Sequence, residues 1–339
     1  MHALVIGGTG FIGRNLIDEL LAMGATVRVT QRKRSATILL QRLPVELVDA
    51  SLDEPEKLMR AMSGCDVAFL TGAYYPRYSI DLEASLAEGV RGVRTACAAA
   101  LDAGLPRMIY TSTIATLASS GGARPADERD VATSMPSGSV YRAVKWAMER
   151  EVDRARRRGL DVITLMPGGC IGPWDVRLGT GAILVGAVRG LLPWWVEGVI
   201  NLVDVGDVAR AHVTAAKYAR DARYCLTGHD VTVGWLLEHL VARFGGTVPA
   251  LRLSAEEARA VAEADERAAA PTRRRVAVPR ELVDMATTGQ RVCSARARAQ
   301  LGFEASPLDA SLDRAHDWFR RYGYLPRNGT STESQARDR

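Results

Sequence analysis

Gly7-Gly8-Thr9-Gly10-Phe11-Ile12-Gly13 follows the apolar run His2-Ala3-Leu4-Val5-Ile6 at the start of this 339-residue chain. The run reads as a buried strand. Beyond it Ile12, Leu16, Leu20 and Met23 recur at helical spacing, so the glycines form the turn between a strand and an amphipathic helix over Phe11–Met23. A plain strand-to-helix turn also uses glycine, and the chain has 31 of them. The placement at Gly7, Gly10 and Gly13 carries more: glycine allows the tight turn, lets a pyrophosphate reach the backbone N–H groups near Phe11 and Ile12, and lets the helix pack close at Gly13. This pattern implies a dinucleotide site.

Working outward, strands are expected at about 2–7, 25–30, 45–49, 66–71, 106–112 and 160–166, with helical patterns between them, among them the alanine-rich stretch near 80–103. Alternation of this kind gives an α/β fold, a doubly wound parallel (Rossmann) sheet, with a smaller C-terminal substrate lobe after Pro167. The expected division is a core over 1–166 with returning segments near 200–220, a lobe over 167–200 and 223–326, and a disordered tail over 327–339. Residues 254–270 read as an Ala/Glu/Arg helix.

The net charge of +5 asks for no nucleic-acid partner, and the basic loop Arg32 to Arg34 lacks the interleaved aromatics of an RNA-binding surface. Five scattered cysteines without a C-x-x-C pair suggest neither a disulfide framework nor a metal site, and point to a reducing, cytoplasmic setting. The opening apolar run is too short for the apolar core of a secretion signal. The longest apolar stretch, Gly181 to Val196, is interrupted by Arg189 and Pro193 and falls short of a membrane span.

At the end of the second strand, where a carboxylate would read the adenosine ribose of NAD, the chain has Val27-Arg28-Val29-Thr30 running into Gln31-Arg32-Lys33-Arg34. Cations without a carboxylate favour NADP(H), with Arg32 the expected partner of a 2′-phosphate, although NAD(H) stays open and a solvated basic loop would look the same. Further on, Tyr141 and Lys145 stand four apart on one helix face. With nine tyrosines and four lysines such a pair arises by chance about 0.1 times, so a functional pair is expected. An ammonium nearby favours phenolate and would draw the phenol down from about 10. The hydroxyls of Thr111-Ser112-Thr113 close the fifth strand at the edge of the same crevice.

Taken together these motifs resemble the extended short-chain dehydrogenase/reductase family, in particular its dihydroflavonol-reductase-like and nucleoside-sugar-epimerase-like members. The resemblance covers about residues 3–325. It also takes in Ser63-Gly64-Cys65-Asp66-Val67, Pro167-Gly168-Gly169-Cys170-Ile171-Gly172-Pro173, Val203-Asp204-Val205-Gly206-Asp207-Val208-Ala209 and Leu301-Gly302-Phe303. It implies that Tyr141 is the general acid, that Lys145 binds the nicotinamide ribose and lowers the Tyr141 pKa, and that Thr113 hydrogen-bonds the substrate oxygen, with Ser112 as its neighbour. It further implies that Pro167 and Cys170 line the nicotinamide face and that Leu70, Thr71 and Gly72 flank the cofactor. Ser51, beside Leu52, stands where the family often has an adenine-reading Asp, and Leu86 stands where an Asn is common. Relatives are often homodimers through the helix pair that includes Tyr141.

The substrate half separates the reactions these relatives catalyse. Gly168-Gly169-Cys170 lacks the Asn usual in sugar-nucleotide epimerases, and Tyr74, Tyr75, Trp174 and Trp194 offer aromatic walls, unless they are core between the lobes. The reading is an NADPH-dependent reductase of a carbonyl, or related unsaturated, group in a hydrophobic or aromatic small molecule. The alternative is a nucleoside-sugar epimerase or dehydratase with tightly held NAD(P). A regulator that binds the cofactor without turnover fits less well, because Tyr141, Lys145 and Thr113 are all retained.

Overall fold

The computed structural model describes residues 1–32, 37–76, 78, 80–122 and 124–326. Lys33, Arg34, Arg77 and the expected tail over 327–339 lie outside the described residues. In chain order the elements of the first half are β1 (His2–Ile6), α1 (Phe11–Ala22), β2 (Thr26–Gln31), β3 (Val45–Asp49), α2 (Pro55–Met62), β4 (Val67–Leu70), α3 (Leu82–Asp102), β5 (Met108–Thr111), α4 (Val140–Arg157) and β6 (Val162–Pro167). There follow β7 (Gly169–Ile171), α5 (Gly181–Val188), β8 (Trp195–Val196), β9 (Val199–Asp204), α6 (Val205–Tyr218), β10 (Arg223–Leu226), β11 (His229–Thr232) and α7 (Val233–Phe244). The chain closes with β12 (Arg252–Leu253), α8 (Ala255–Ala269), α9 (Arg280–Thr287), α10 (Ala295–Leu301) and α11 (Leu308–Arg321).

Seven parallel strands form one sheet in the order β10-β6-β5-β4-β1-β2-β3. Side chains alternate across a strand, so Ala3 and Val5 join a core with α1 and α6 while Leu4 and Ile6 join another with α2, α3 and α4. Both faces are therefore covered, which explains why these strands read as continuous apolar runs. The sheet reverses its winding at β1, whose neighbours are β2 and β4, and this opens a crevice at the carboxyl ends of β1 and β4.

A second core joins α5, α7, α8, α9 and α11 to a three-stranded sheet, β11-β9-β7, and to the short pair β12-β8. One boundary needs correction. The reading placed everything from 223 to 326 in the lobe, but Arg223–Leu226 is the seventh strand of the large sheet, paired with Thr164 to Pro167 of β6. Ala297, Leu301 and Phe303, at and just beyond α10, also pack into the first core. A four-residue strand beginning with arginine shows too little periodicity to be recognised as an element. Among the described residues no helix is long and apolar enough to cross a membrane.

Candidate active site

At the crevice Gly7 adopts φ +97° and its carbonyl accepts the N–H of Gly10 at 2.9 Å, closing the turn. A Cβ on Gly13 would overlap the Gly7 carbonyl and lie 2.7 Å from Thr71 Oγ1, and one on Gly7 would overlap the backbone of Gly72. Bare backbones therefore meet where β1 and β4 end. Thr71 and Gly72 donate their N–H groups to the Ile6 carbonyl at 3.0 and 2.8 Å, which ties the loop after Leu70 to the glycine turn. Gly10 is the N-cap of α1 and supplies no side-chain cap, so the first-turn N–H groups around Phe11 and Ile12 are left for a ligand or water. A cradle of backbone with no room for a Cβ at Gly7, Gly13 or Gly72, at the positive end of a helix, fits a pyrophosphate.

Arg32 follows the last residue of β2 and is exposed at the rim of this crevice. Ser51 is engaged locally: its hydroxyl donates to Glu54 Oε2 at 3.0 Å. Leu52 packs over Gly92 of α3.

The groups expected to transfer the proton converge from two places, helix α4 and the turn after β5. Ser139 caps α4 by accepting the N–H of Arg142 at 3.3 Å, which sets Tyr141 in the first turn and Lys145 one turn further along. Thr113 follows β5, accepts the Ala115 N–H at 3.2 Å, and its hydroxyl bonds to the Tyr141 phenol. The Lys145 ammonium lies 5.9 Å from the centre of the Tyr141 ring. All three side chains are buried. Burial pushes Tyr141 up to about 12 against the pull of the Thr113 hydrogen bond, and brings Lys145 down to about 8 against the attraction of Glu149. This corrects the expectation that the ammonium draws the phenol down. In both groups the cost of charging a desolvated side chain leads the shift.

The other expected residues divide. Cys170, in β7, is buried, and burial raises its thiol above the ordinary range; Pro167 ends β6 beside Leu226 of β10. Tyr75 lies with its ring centre 5.5 Å from that of Tyr141. Ser112, by contrast, turns its hydroxyl to Glu149, a buried carboxylate held by Arg223 at 2.7 Å, and so points into the structure below α4. Tyr74 sends its hydroxyl to within 3.1 Å of Ser85 Oγ and packs on the core behind α3. Trp174 packs at a tilt against Trp318 and Tyr322 and carries the Arg14 guanidinium 4.3 Å from its ring centre, so it joins α1 to α11. These three are engaged in packing and local bonding.

Trp194 lines a cavity of about 60 Å³ in the second core, with Gly169, Leu202, Leu282, Met285 and others. Among the described residues no charged side chain lines it, and Thr180 is the sole hydroxyl. Cavity and catalytic groups share two walls. Strand β7 supplies Gly169 to the one and Cys170 to the surroundings of Tyr141, and α9 supplies Leu282 and Met285 to the one and Glu281, bonded to Tyr75, to the other. The contribution of α9 was not legible in the sequence, where residues 280–287 give only a short helical pattern.

A glycine cradle for a dinucleotide beside a buried tyrosine, lysine and threonine is the working arrangement of an NAD(P)-dependent oxidoreductase of the extended short-chain type. The chain belongs to the NAD dependent epimerase/dehydratase family, whose model matches residues 3–234. It is 32% identical over 327 residues to a Synechocystis sp. protein bearing the provisional name dihydroflavonol 4-reductase, with 95% of each chain covered. It is 29% identical over 336 residues to sterol demethylase protein B of Methylococcus capsulatus, covering 96% of this chain and all of that one. A solved nucleoside-diphosphate-sugar epimerase from Pseudomonas aeruginosa superposes with a TM-score of 0.80 at 27% identity, over 96% of this chain and 99% of that one. Reductase or epimerase chemistry with NAD(P) follows; the choice between them does not.

Proposed function

We propose that the protein is an NADPH-dependent reductase of a carbonyl group in a hydrophobic small molecule. The observation that carries this reading is the uncharged cavity that shares β7 and α9 with the catalytic groups. An apolar cavity gains from an alkyl or aryl branch and offers nothing to a sugar diphosphate, whose charges would be stranded without partners. The names of the two sequence relatives, dihydroflavonol 4-reductase and sterol demethylase protein B, refer to compounds of the apolar kind. Arg32, at the end of a strand that carries no carboxylate there, supports the choice of NADPH.

When bound, the nicotinamide supplies the hydride. Tyr141, which burial keeps as the neutral phenol, delivers its proton to the carbonyl oxygen, while Thr113 orients both oxygens by hydrogen bonding. Lys145 holds the ribose and supports the phenolate left behind. Leu70, Thr71 and Gly72 flank the cofactor, and Pro167 and Cys170 back its nicotinamide face. The homodimer that the family resemblance implies would pair α3 and α4 with their copies; a monomer in equilibrium sedimentation at micromolar concentration would refute it.

The test is the fate of the hydride. NADPH offered with hydrophobic ketones should be consumed one for one with alcohol formed, and deuteride from labelled NADPH should appear at the new carbinol carbon. Isomerisation of a nucleoside-diphosphate sugar without net oxidation of the nucleotide would replace this reading with the epimerase.

A further inference from the structure

Glu281, in the first turn of α9, is a carboxyl that the proton transfer does not use. It is only 8% exposed, and the Tyr75 hydroxyl donates a hydrogen bond to its Oε2. The Tyr75 ring in turn rests on that of Tyr141 at 5.5 Å, tilted by 55°. Half of the Tyr75 surface is still open to solvent, so the ring covers Tyr141 from outside. Tyr78, in the same loop after β4, donates to the Arg274 carbonyl at 3.0 Å. Two tyrosines of one loop thus reach from the large sheet to the segment that leads into and begins α9. The residues after Glu281, namely Leu282, Val283, Met285 and Ala286, line the apolar cavity.

We propose that Glu281 is a positioning residue for the reduction: its bond to Tyr75 holds that ring against Tyr141 and closes the cleft over the reacting carbonyl. The proposal rests on the reading of Tyr141 as proton donor. It gives the enzyme a way to sense the apolar branch of its substrate, because the helix that lines the cavity also carries the carboxyl that seats the lid.

The protonation state of Glu281 then governs closure. Burial, reinforced by Asp284, pushes the carboxyl up to about 8. Among the described residues, the charged groups that pair along α9 and the elements beside it are Arg280 on α9, Arg259, Glu263 and Glu266 on α8, and Arg142 on α4. Arg280 pairs with Glu263 at 2.6 Å and Arg259 with Asp284 at 3.2 Å, Glu266 accepts the Arg280 N–H at 3.0 Å, and Arg142 donates to the Ala115 carbonyl at 2.9 Å. None of these contacts offers Glu281 a cation of its own. Near neutral pH the group is uncharged and closure buries no charge. Opening lets water reach the carboxyl and lowers its value, so closure takes up a proton, and KM for an apolar ketone rises as the solution turns more alkaline, by up to tenfold per pH unit, and levels off above about pH 8.

Glu281→Leu removes the bond, Glu281→Gln keeps an uncharged acceptor that cannot ionise, and Tyr75→Phe keeps the ring without its hydroxyl. Backbone hydrogen exchange over residues 71–76 should quicken in Glu281→Leu and Tyr75→Phe and stay near that of the unaltered protein in Glu281→Gln. This readout needs no substrate. With a ketone that turns over, KM should rise about tenfold in Glu281→Leu with a smaller change in kcat, and the alkaline rise in KM should vanish in Glu281→Gln. Unchanged exchange in both Glu281→Leu and Tyr75→Phe, or an alkaline rise that persists in Glu281→Gln, overturns the proposal alone. Retained turnover in Tyr141→Phe overturns the proton-donor reading and the proposal with it.

Discussion

Burial shifts both Tyr141 and Lys145 towards their uncharged forms, which keeps the tyrosine a neutral phenol and leaves the lysine an ammonium at neutral pH, and that decides what each substitution should do. Tyr141→Phe removes the proton source and the bond to Thr113 but little of the packing, so turnover should fall by about 10² or more while NADPH affinity stays within a few-fold. Lys145→Ala should lower both, because the lysine is expected to hold the ribose as well as to support the phenolate. Fluorescence titration and steady-state rates on the same preparations separate the two. Arg32 is a different case, an exposed cation whose proposed partner is the 2′-phosphate. NADPH should bind at least tenfold more tightly than NADH, and Arg32→Ala should remove most of the gap, the share of a charge-assisted bond worth about 1.5–3 kcal/mol. Equal affinities for the two nucleotides in the unaltered protein would reopen NAD. The motif residues could be recognised in the sequence because their types and spacing are dictated by chemistry. Ser112 and Trp174 could not be placed the same way: nothing near them in sequence shows that Glu149, Arg223, Trp318 or Arg14 will be their neighbours.

Helix α4 and strand β10 are joined by a buried charge cluster that also fixes the floor of the site. Arg223 bonds Glu149 and Asp153 at 2.7 Å each, and Glu149 in turn accepts from Ser112 and from Thr116, the latter at 3.0 Å. Arg223→Leu should cost about 3–5 kcal/mol, since Glu149 would be left buried without the cation bonded to it. The double variant Arg223→Leu with Glu149→Leu should lose less than the sum of the single losses, measured as denaturant midpoints. Additive losses would mean that the pair is not coupled. Helix α1 makes a parallel case. Gly13→Ala should abolish tight nucleotide binding, because the new methyl must displace the Gly7 carbonyl and the Thr71 hydroxyl. The strand β10 that anchors the cluster is the one element of the large sheet that the sequence did not reveal. Its four residues take their conformation from pairing with β6 at the sheet edge, and local preference contributes little.

Across the whole molecule, buried titratable groups should shape stability against pH in opposing ways. His212 donates Nδ1–H to the Val208 carbonyl and accepts the Thr111 hydroxyl at Nε2, and burial brings it down to about 4. Its folded value lies below the ordinary 6.5, so the unfolded chain binds the extra proton first and stability falls as pH drops from about 6.5 towards 4. Glu281 acts with the opposite sign. Its folded value of about 8 lies above the ordinary 4.5, so its contribution is complete below 4.5 and is lost as pH rises towards 8. Asp175 and Asp284, both raised by burial, act in the same direction as Glu281. The two opposing slopes overlap near pH 5–6, and Glu281 alone should remove about 2 kcal/mol between pH 6.5 and 8. Denaturant midpoints across pH should show that decline in the unaltered protein and a flatter curve in Glu281→Gln. An unaltered alkaline decline in Glu281→Gln would remove Glu281 as its cause.

The sequence by itself determined six of the seven strands of the large sheet, the glycine cradle and the proposed set of Tyr141, Lys145 and Thr113, because each is written in local terms: apolar runs of strand length, glycines where backbones must touch, and a four-residue helical spacing. Tertiary structure alone decided which aromatic residues face the site and which only pack. Tyr75 came to rest on Tyr141 because a carboxyl some two hundred residues away meets its hydroxyl, and Trp194 lines a cavity that exists only once α9 has folded against β8 and β9. It also set the charge states. Whether a phenol or an ammonium is charged depends on how much water the completed fold leaves around it, and no stretch of sequence records that quantity.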